Sequence, residues 1–132
     1  MTSFGFLVKT YSGLSLGKIQ SGSLPDSIFL VVILAPFLET IFIQYIPYTM
    51  IVKRRNIKTE KPAYLAVSSV LFGLIHWYHI YFVIVTIIGG FFLSNRFFQV
   101  SIKRNELAAI ISIFTIHAVS NLISTFMIKL GL

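Results

Sequence analysis

Cysteine is absent from the 132 residues, and acidic residues are nearly so: there are four, and Asp26 is the only aspartate. Without cysteine there is no disulfide framework, no thiolate metal site and no cysteine nucleophile. With a single aspartate an aspartyl dyad is excluded, and no His-Glu-x-x-His pair is present to grip zinc from one helix. Charge of either sign is scarce, at 11% of residues against 56% hydrophobic, with a mean hydropathy of +0.87. A soluble domain of this size needs far more polar surface. What is present instead is a set of long uninterrupted apolar stretches, which predicts one all-α, polytopic membrane unit whose solvent is lipid.

The formal net charge is +7. The basic residues cluster in short connections between apolar stretches, where they face anionic lipid and set topology. Membrane lipid is therefore the expected partner, and nucleic acid is not. Residues 1–27 mix a short apolar patch, Phe4 to Val8, with Ser, Gly, Lys9 and Lys18, and read as an interfacial lead-in to a core over 28–132.

Ile28 to Val52 is long enough to cross a hydrocarbon layer of roughly 30 Å, and Pro36 is expected to kink it about one turn before Glu39. Ala63 to Phe98 contains no acid and reads as two short helices, with the turn near Trp77 to Tyr81 or, as an alternative, at Gly89-Gly90. Ser101 to Glu106 then precedes a last span, Leu107 to Lys129. The expected architecture is about four transmembrane helices around a buried polar cavity, in a multi-pass protein of the cell membrane. Lys53, Arg54, Arg55, Lys58 and Lys61 fall on the same side as Arg96, Lys103 and Arg104, the cytoplasmic side by the positive-inside rule.

Glu39 is the one acid inside a span. A carboxylate at that depth costs a few kcal/mol or more unless it is neutral, paired or hydrated, so its presence asks for a reason. The plain reading is a protonated Glu bonded to a neighbouring helix; the functional one is an intramembrane site. His76 closes Phe72-Gly73-Leu74-Ile75-His76, and His117 opens His117-Ala118-Val119-Ser120-Asn121, whose i, i+4 spacing puts His117 and Asn121 on one helix face. Alone, each is an ordinary core histidine or interhelical amide. Together with Glu39 they form a candidate cluster on three helices. His79, among aromatics, reads as interfacial, and the serines as helix-packing or backbone-bonding residues.

The order and spacing of these groups resemble the CPBP family, the Abi or type II CaaX prenyl endopeptidase-like intramembrane proteases. Its motifs are Glu-Glu-x-x-x-Arg, Phe-x-x-x-His and His-x-x-x-Asn, each on its own helix. Here they correspond to Glu39 to Gln44, Phe72 to His76, and His117 to Asn121, over roughly residues 28–132. The resemblance implies an intramembrane endopeptidase acting on a membrane-associated peptide or protein. It implies that Glu39, with His76, activates a water, and that His117 with Asn121 stabilises the oxyanion. Thr40, Gln44 and Phe72 are the supporting residues. Thr40 stands where the pattern has its second Glu and Gln44 where it has Arg; Gln44 is expected to orient Glu39 by a hydrogen bond.

No cofactor is expected on this reading. The alternative is a metalloprotease-like site with Zn²⁺ on Glu39, His76 and His117. Asn121 suits an oxyanion hole better than a metal shell, and no separate acid remains to serve as base. Two other functions stay open: a non-catalytic membrane protein such as a bacteriocin self-immunity factor, and a proton-linked carrier.

Overall fold

Segments this apolar have no water to bond their peptide groups, so helices that satisfy themselves are the available solution. The computed structural model describes residues 28–53, 57–77 and 79–131, and every regular element among them is helical. Four helices follow in order: α1, Leu30–Ile51; α2, Ile57–Ile75; α3, Ile80–Lys103; and α4, Glu106–Leu130. Three of them, α1, α3 and Glu106–Met127 of α4, are long and apolar enough to cross a membrane. α2 is the exception, because its first turns carry Glu60 and Lys61. The lead-in predicted over residues 1–27 lies outside the described residues.

α2 ends in a turn at His76 and Trp77, and α3 begins after His79, where the aromatic cluster predicts the break. His79 is extended (φ −155°, ψ 144°) and its Nδ1 accepts from the Tyr81 backbone N–H at 3.4 Å, capping α3. Its ring stacks on Tyr81 at 5.3 Å, and Trp77 and Tyr81 are both well exposed, as interfacial anchors are. α3 is not the short helix expected. It runs unbroken through Gly89-Gly90 and past Phe98 to Lys103, because helical hydrogen bonding does not stop where apolar side chains do. Asn105 then caps α4, its Oδ1 accepting from the Ala108 N–H at 2.8 Å, with Glu106 in the first turn.

The described residues gather into two compact units, Phe37–Ile116 and a second made of 28–36 with 117–131; α1 and α4 each contribute to both. Within the first unit the core lies toward the basic connections. Tyr48 of α1 meets Tyr64 of α2 (5.7 Å), Phe97 (5.4 Å) and Phe98 (6.4 Å) of α3 edge to face, with Ala109 and Ile113 of α4 closing the cluster. Each such aromatic pair contributes about 0.5–1.5 kcal/mol beyond its buried area. Lys53 and Glu106 pair at 2.9 Å, which puts the end of α1 and the start of α4 side by side, as the distribution of basic residues requires. The hydrogen bond to Glu106 raises the Lys53 ammonium above the ordinary lysine range.

Lipid does not press helices together, so close approach must come from packing of small residues. α2 and α3 meet at two such positions. A Cβ on Gly73 would enter the Ile87 side chain, and one on Gly90 would lie 2.8 Å from Phe72 Cβ and 3.1 Å from Ser69 Cα. Hydroxyls along these helices bond back to their own carbonyls: Ser69 to Leu65 (2.5 Å), Thr86 to Phe82 (2.8 Å), Ser94 to Gly90 (2.7 Å) and Ser124 to Ser120 (2.9 Å). An apolar groove of about 700 Å³ between α2 and α3 is lined by Pro62, Leu65, Ile87, Phe91 and Phe92 among others. The polar cavity expected from the sequence is not seen among the described residues.

Gly89 and Gly90 separate the two effects of a glycine. Gly89→Ala meets open space and is expected to be neutral or to stabilise by up to about 1 kcal/mol through helix propensity. Gly90→Ala is expected to destabilise, because overpacking at a tight contact costs about 1–3 kcal/mol. Thermal denaturation of the two variants in detergent gives the comparison; equal melting temperatures would contradict the packing.

Candidate active site

Glu39 owes its setting to two prolines. In α1 the Ala35 N–H bonds to the Leu30 carbonyl, and the Ile46 N–H to the Ile41 carbonyl, both i→i+5 bonds of wide helical turns. Each is followed at once by proline, Pro36 and Pro47. A proline ring crowds the carbonyl four residues back and brings no N–H of its own, and widening the preceding turn relieves the first problem. Glu39 ends the short regular stretch Ala35–Glu39 between the two wide turns. Wide turns hold more than 3.6 residues, so the buried face recurs at every fourth position, Val32, Pro36, Thr40 and Gln44, and then continues through Tyr48 and Val52. At Pro36 the sequence predicts a kink; the structure has a wide turn before Pro36 and a second before Pro47.

Glu39 sits beside that face, half-buried, with its Oε2 sealed from solvent. Thr40 and Gln44, which replace the charges of the CPBP pattern, are fully buried at 0% and 1% exposure. Gln44 does not orient Glu39. Its Oε1 accepts from the Tyr64 hydroxyl at 3.2 Å, tying α1 to α2, and its Nε2 is buried without a hydrogen bond among the described residues. Tyr64 is the residue that sequence reading passed over. Its one signal was the single phenol of α2, whose hydroxyl must find a partner when buried.

His76 is the first residue beyond α2. Its backbone N–H closes a tight turn onto the Gly73 carbonyl at 3.1 Å, and its Nδ1 lies 2.7 Å from the Phe72 carbonyl. A carbonyl has no proton to give, so Nδ1 is the donor and the neutral ring presents Nε2 as an acceptor. The Phe72 (4.7 Å) and Phe82 (5.9 Å) rings pack against it, both tilted. This gives the Phe-x-x-x-His spacing a physical content: Phe72 supplies both a packing face and the carbonyl that fixes the tautomer. Among the described residues no direct hydrogen bond or ion pair joins His76 to Glu39, although both belong to the unit Phe37–Ile116.

His117 and Asn121 belong to the other unit. His117 is buried at 8% exposure. Asn121 is half-buried, and its Nδ2 donates to the Val31 carbonyl at 2.9 Å. An amide nitrogen carries two hydrogens, so one remains for another acceptor. Among the described residues no three His, Cys, Asp or Glu side chains form a cluster able to hold a metal ion.

The sequence model of one protein family, described as Type II CAAX prenyl endopeptidase Rce1-like, matches residues 22–123. No curated protein and no solved structure matches the chain.

The Gln44–Tyr64 bond is open to a double-mutant test. Tyr64→Phe leaves a buried amide with no partner and is expected to cost about 1–3 kcal/mol, and Gln44→Leu costs less, because the Tyr64 hydroxyl keeps Ser68 and Ser94 beside it. The double variant removes both polar groups and should recover most of that loss. Strictly additive losses in thermal unfolding would show that the two side chains do not interact.

Proposed function

The chain belongs to the Rce1-like family of CAAX-type intramembrane proteases, and from that footing we propose that it is a membrane endopeptidase in which Glu39 and His76 activate a water between them. The observation that carries the reading is the Phe72–His76 bond. With Nδ1 committed to the Phe72 carbonyl, Nε2 of the neutral ring is left as an acceptor. A water has two hydrogens, and here two acceptors are available for them, the Glu39 carboxylate and His76 Nε2. A water held so has its oxygen lone pair directed away from both, toward a peptide carbonyl.

The proposed steps follow from those groups. Glu39 takes one proton as the water oxygen bonds to the carbonyl carbon, and the carbonyl becomes an oxyanion. His117 and the second Asn121 hydrogen donate to that oxyanion. Collapse of the tetrahedral intermediate breaks the C–N bond, and the proton held by Glu39 passes to the leaving amine. The second water proton remains on the new carboxyl group and passes from it to the amine, so the products are a carboxylate and an ammonium, and Glu39 returns to its starting form. No step passes through a metal. The substrate is a membrane-associated peptide or protein, and the proposed location is the cell membrane.

A second reading is favoured by Thr40 and Gln44. Both are neutral and sealed where the family pattern places Glu and Arg, which suits a non-catalytic relative such as a bacteriocin self-immunity factor.

Single replacement of Glu39, His76 and His117 by Ala, at matched expression with a membrane-bound reporter, separates the two. Each is expected to reduce cleavage by about 100-fold or more. Three variants that cleave like the parent would end the peptidase reading. Purified protein is expected to lack stoichiometric zinc and to ignore chelators; one zinc per chain would replace the water scheme with a metal one.

A further inference from the structure

The wide turn at the start of α1 leaves one backbone group in an unusual position. In a regular helix the Val31 carbonyl would accept from the Ala35 N–H, but that N–H bonds to Leu30 instead. In a continued wide turn it would accept from residue 36, which is proline and has no N–H to offer. Pro36 and the wide turn together therefore deprive Val31 of both of its possible helical donors. In hydrocarbon no water replaces them, and a bare carbonyl there is costly. The donor that does arrive is Asn121 Nδ2, 2.9 Å away and 90 positions later in the chain.

We propose that Asn121 is a positioning residue, which holds the wide first turn of α1 by donating to the carbonyl that Pro36 leaves without a helical donor. This is separate from any donation to an oxyanion, since the amide has two hydrogens, and it does not depend on the chain being a peptidase. Its importance for α1 is one of register. A wide turn offsets every following residue around the helix, and Glu39 follows eight residues after Val31. Asn121 thus keeps the offset in which Glu39 sits beside, rather than within, the face shared by Val32, Pro36 and Thr40. His117, four residues earlier on α4, does not make this bond. The His-x-x-x-Asn spacing therefore carries a backbone-holding function on its last residue.

The dependence on Pro36 makes the proposal testable by rescue. Pro36→Ala restores an N–H that can reach Val31 in a wide turn, and it permits relaxation to a regular turn in which Ala35 reaches it. In the parent background Asn121→Ala is expected to lower the melting temperature in detergent by about 4 °C or more, and to speed amide exchange at least tenfold over residues 28–36 while α2 and α3 stay unchanged. In the Pro36→Ala background the same replacement should shift the melting temperature by less than half as much. An equal shift in both backgrounds overturns the proposal, as does an exchange increase spread evenly over all helices. Should Pro36→Ala not fold, the exchange pattern of Asn121→Ala alone decides: confinement to 28–36 supports the bond and an unchanged 28–36 segment removes it. A reporter assay keeps the two Asn121 functions apart, because lost oxyanion donation lowers kcat in both backgrounds whereas lost positioning is relieved by Pro36→Ala.

Discussion

A polar group inside hydrocarbon has only protein to bond with, and the rest of this structure depends on that constraint. Hydroxyls of Ser69, Thr86 and Ser94 return to carbonyls of their own helices, which leaves them inert. Gln44 and Asn121 bond to other helices, to the Tyr64 hydroxyl and the Val31 carbonyl, and the His76 ring returns to the Phe72 carbonyl of α2. Each of these bonds removes a local cost, and each also fixes an orientation. The histidine tautomer is the clearest case, since the bond that satisfies Nδ1 leaves Nε2 as the acceptor.

The same constraint bears on what replaces the family's charges. A carboxylate at position 40 and a guanidinium at position 44 would both be sealed from water, and buried ion pairs repay their desolvation only with excellent geometry and full hydrogen bonding. Thr40 and Gln44 ask for less. One neutral hydrogen bond to Tyr64 links α1 to α2 at that depth. Glu106 stands at the first position of α4, and Glu39 is the one carboxylate in the interior of a span.

Much of this was legible in the residues. The apolar stretches gave the helices, the Trp77 to Tyr81 cluster gave the turn between α2 and α3, and Pro36 marked a disturbed backbone in α1. Periodicity alone did not show the wide turn before Pro47, because apolar residues on both sides of α1 hide which face is buried. Nor did it show α3 continuing past Phe98, since a helix end is set by caps and not by lipid thickness. The partners of Gln44 and Asn121 were the least legible. Tyr64 and Val31 lie 20 and 90 positions away, and no local pattern connects an amide to a distant hydroxyl or carbonyl.

A water that Glu39 directs onto a peptide bond within the membrane leaves its oxygen in the product. Cleavage of a membrane-anchored reporter peptide in H₂¹⁸O, followed by mass spectrometry of the new C-terminus, tests this directly. The expected result is one ¹⁸O in the new carboxylate with the parent protein and no product with Glu39→Gln. Unlabelled product, or equal cleavage by Glu39→Gln, would contradict it.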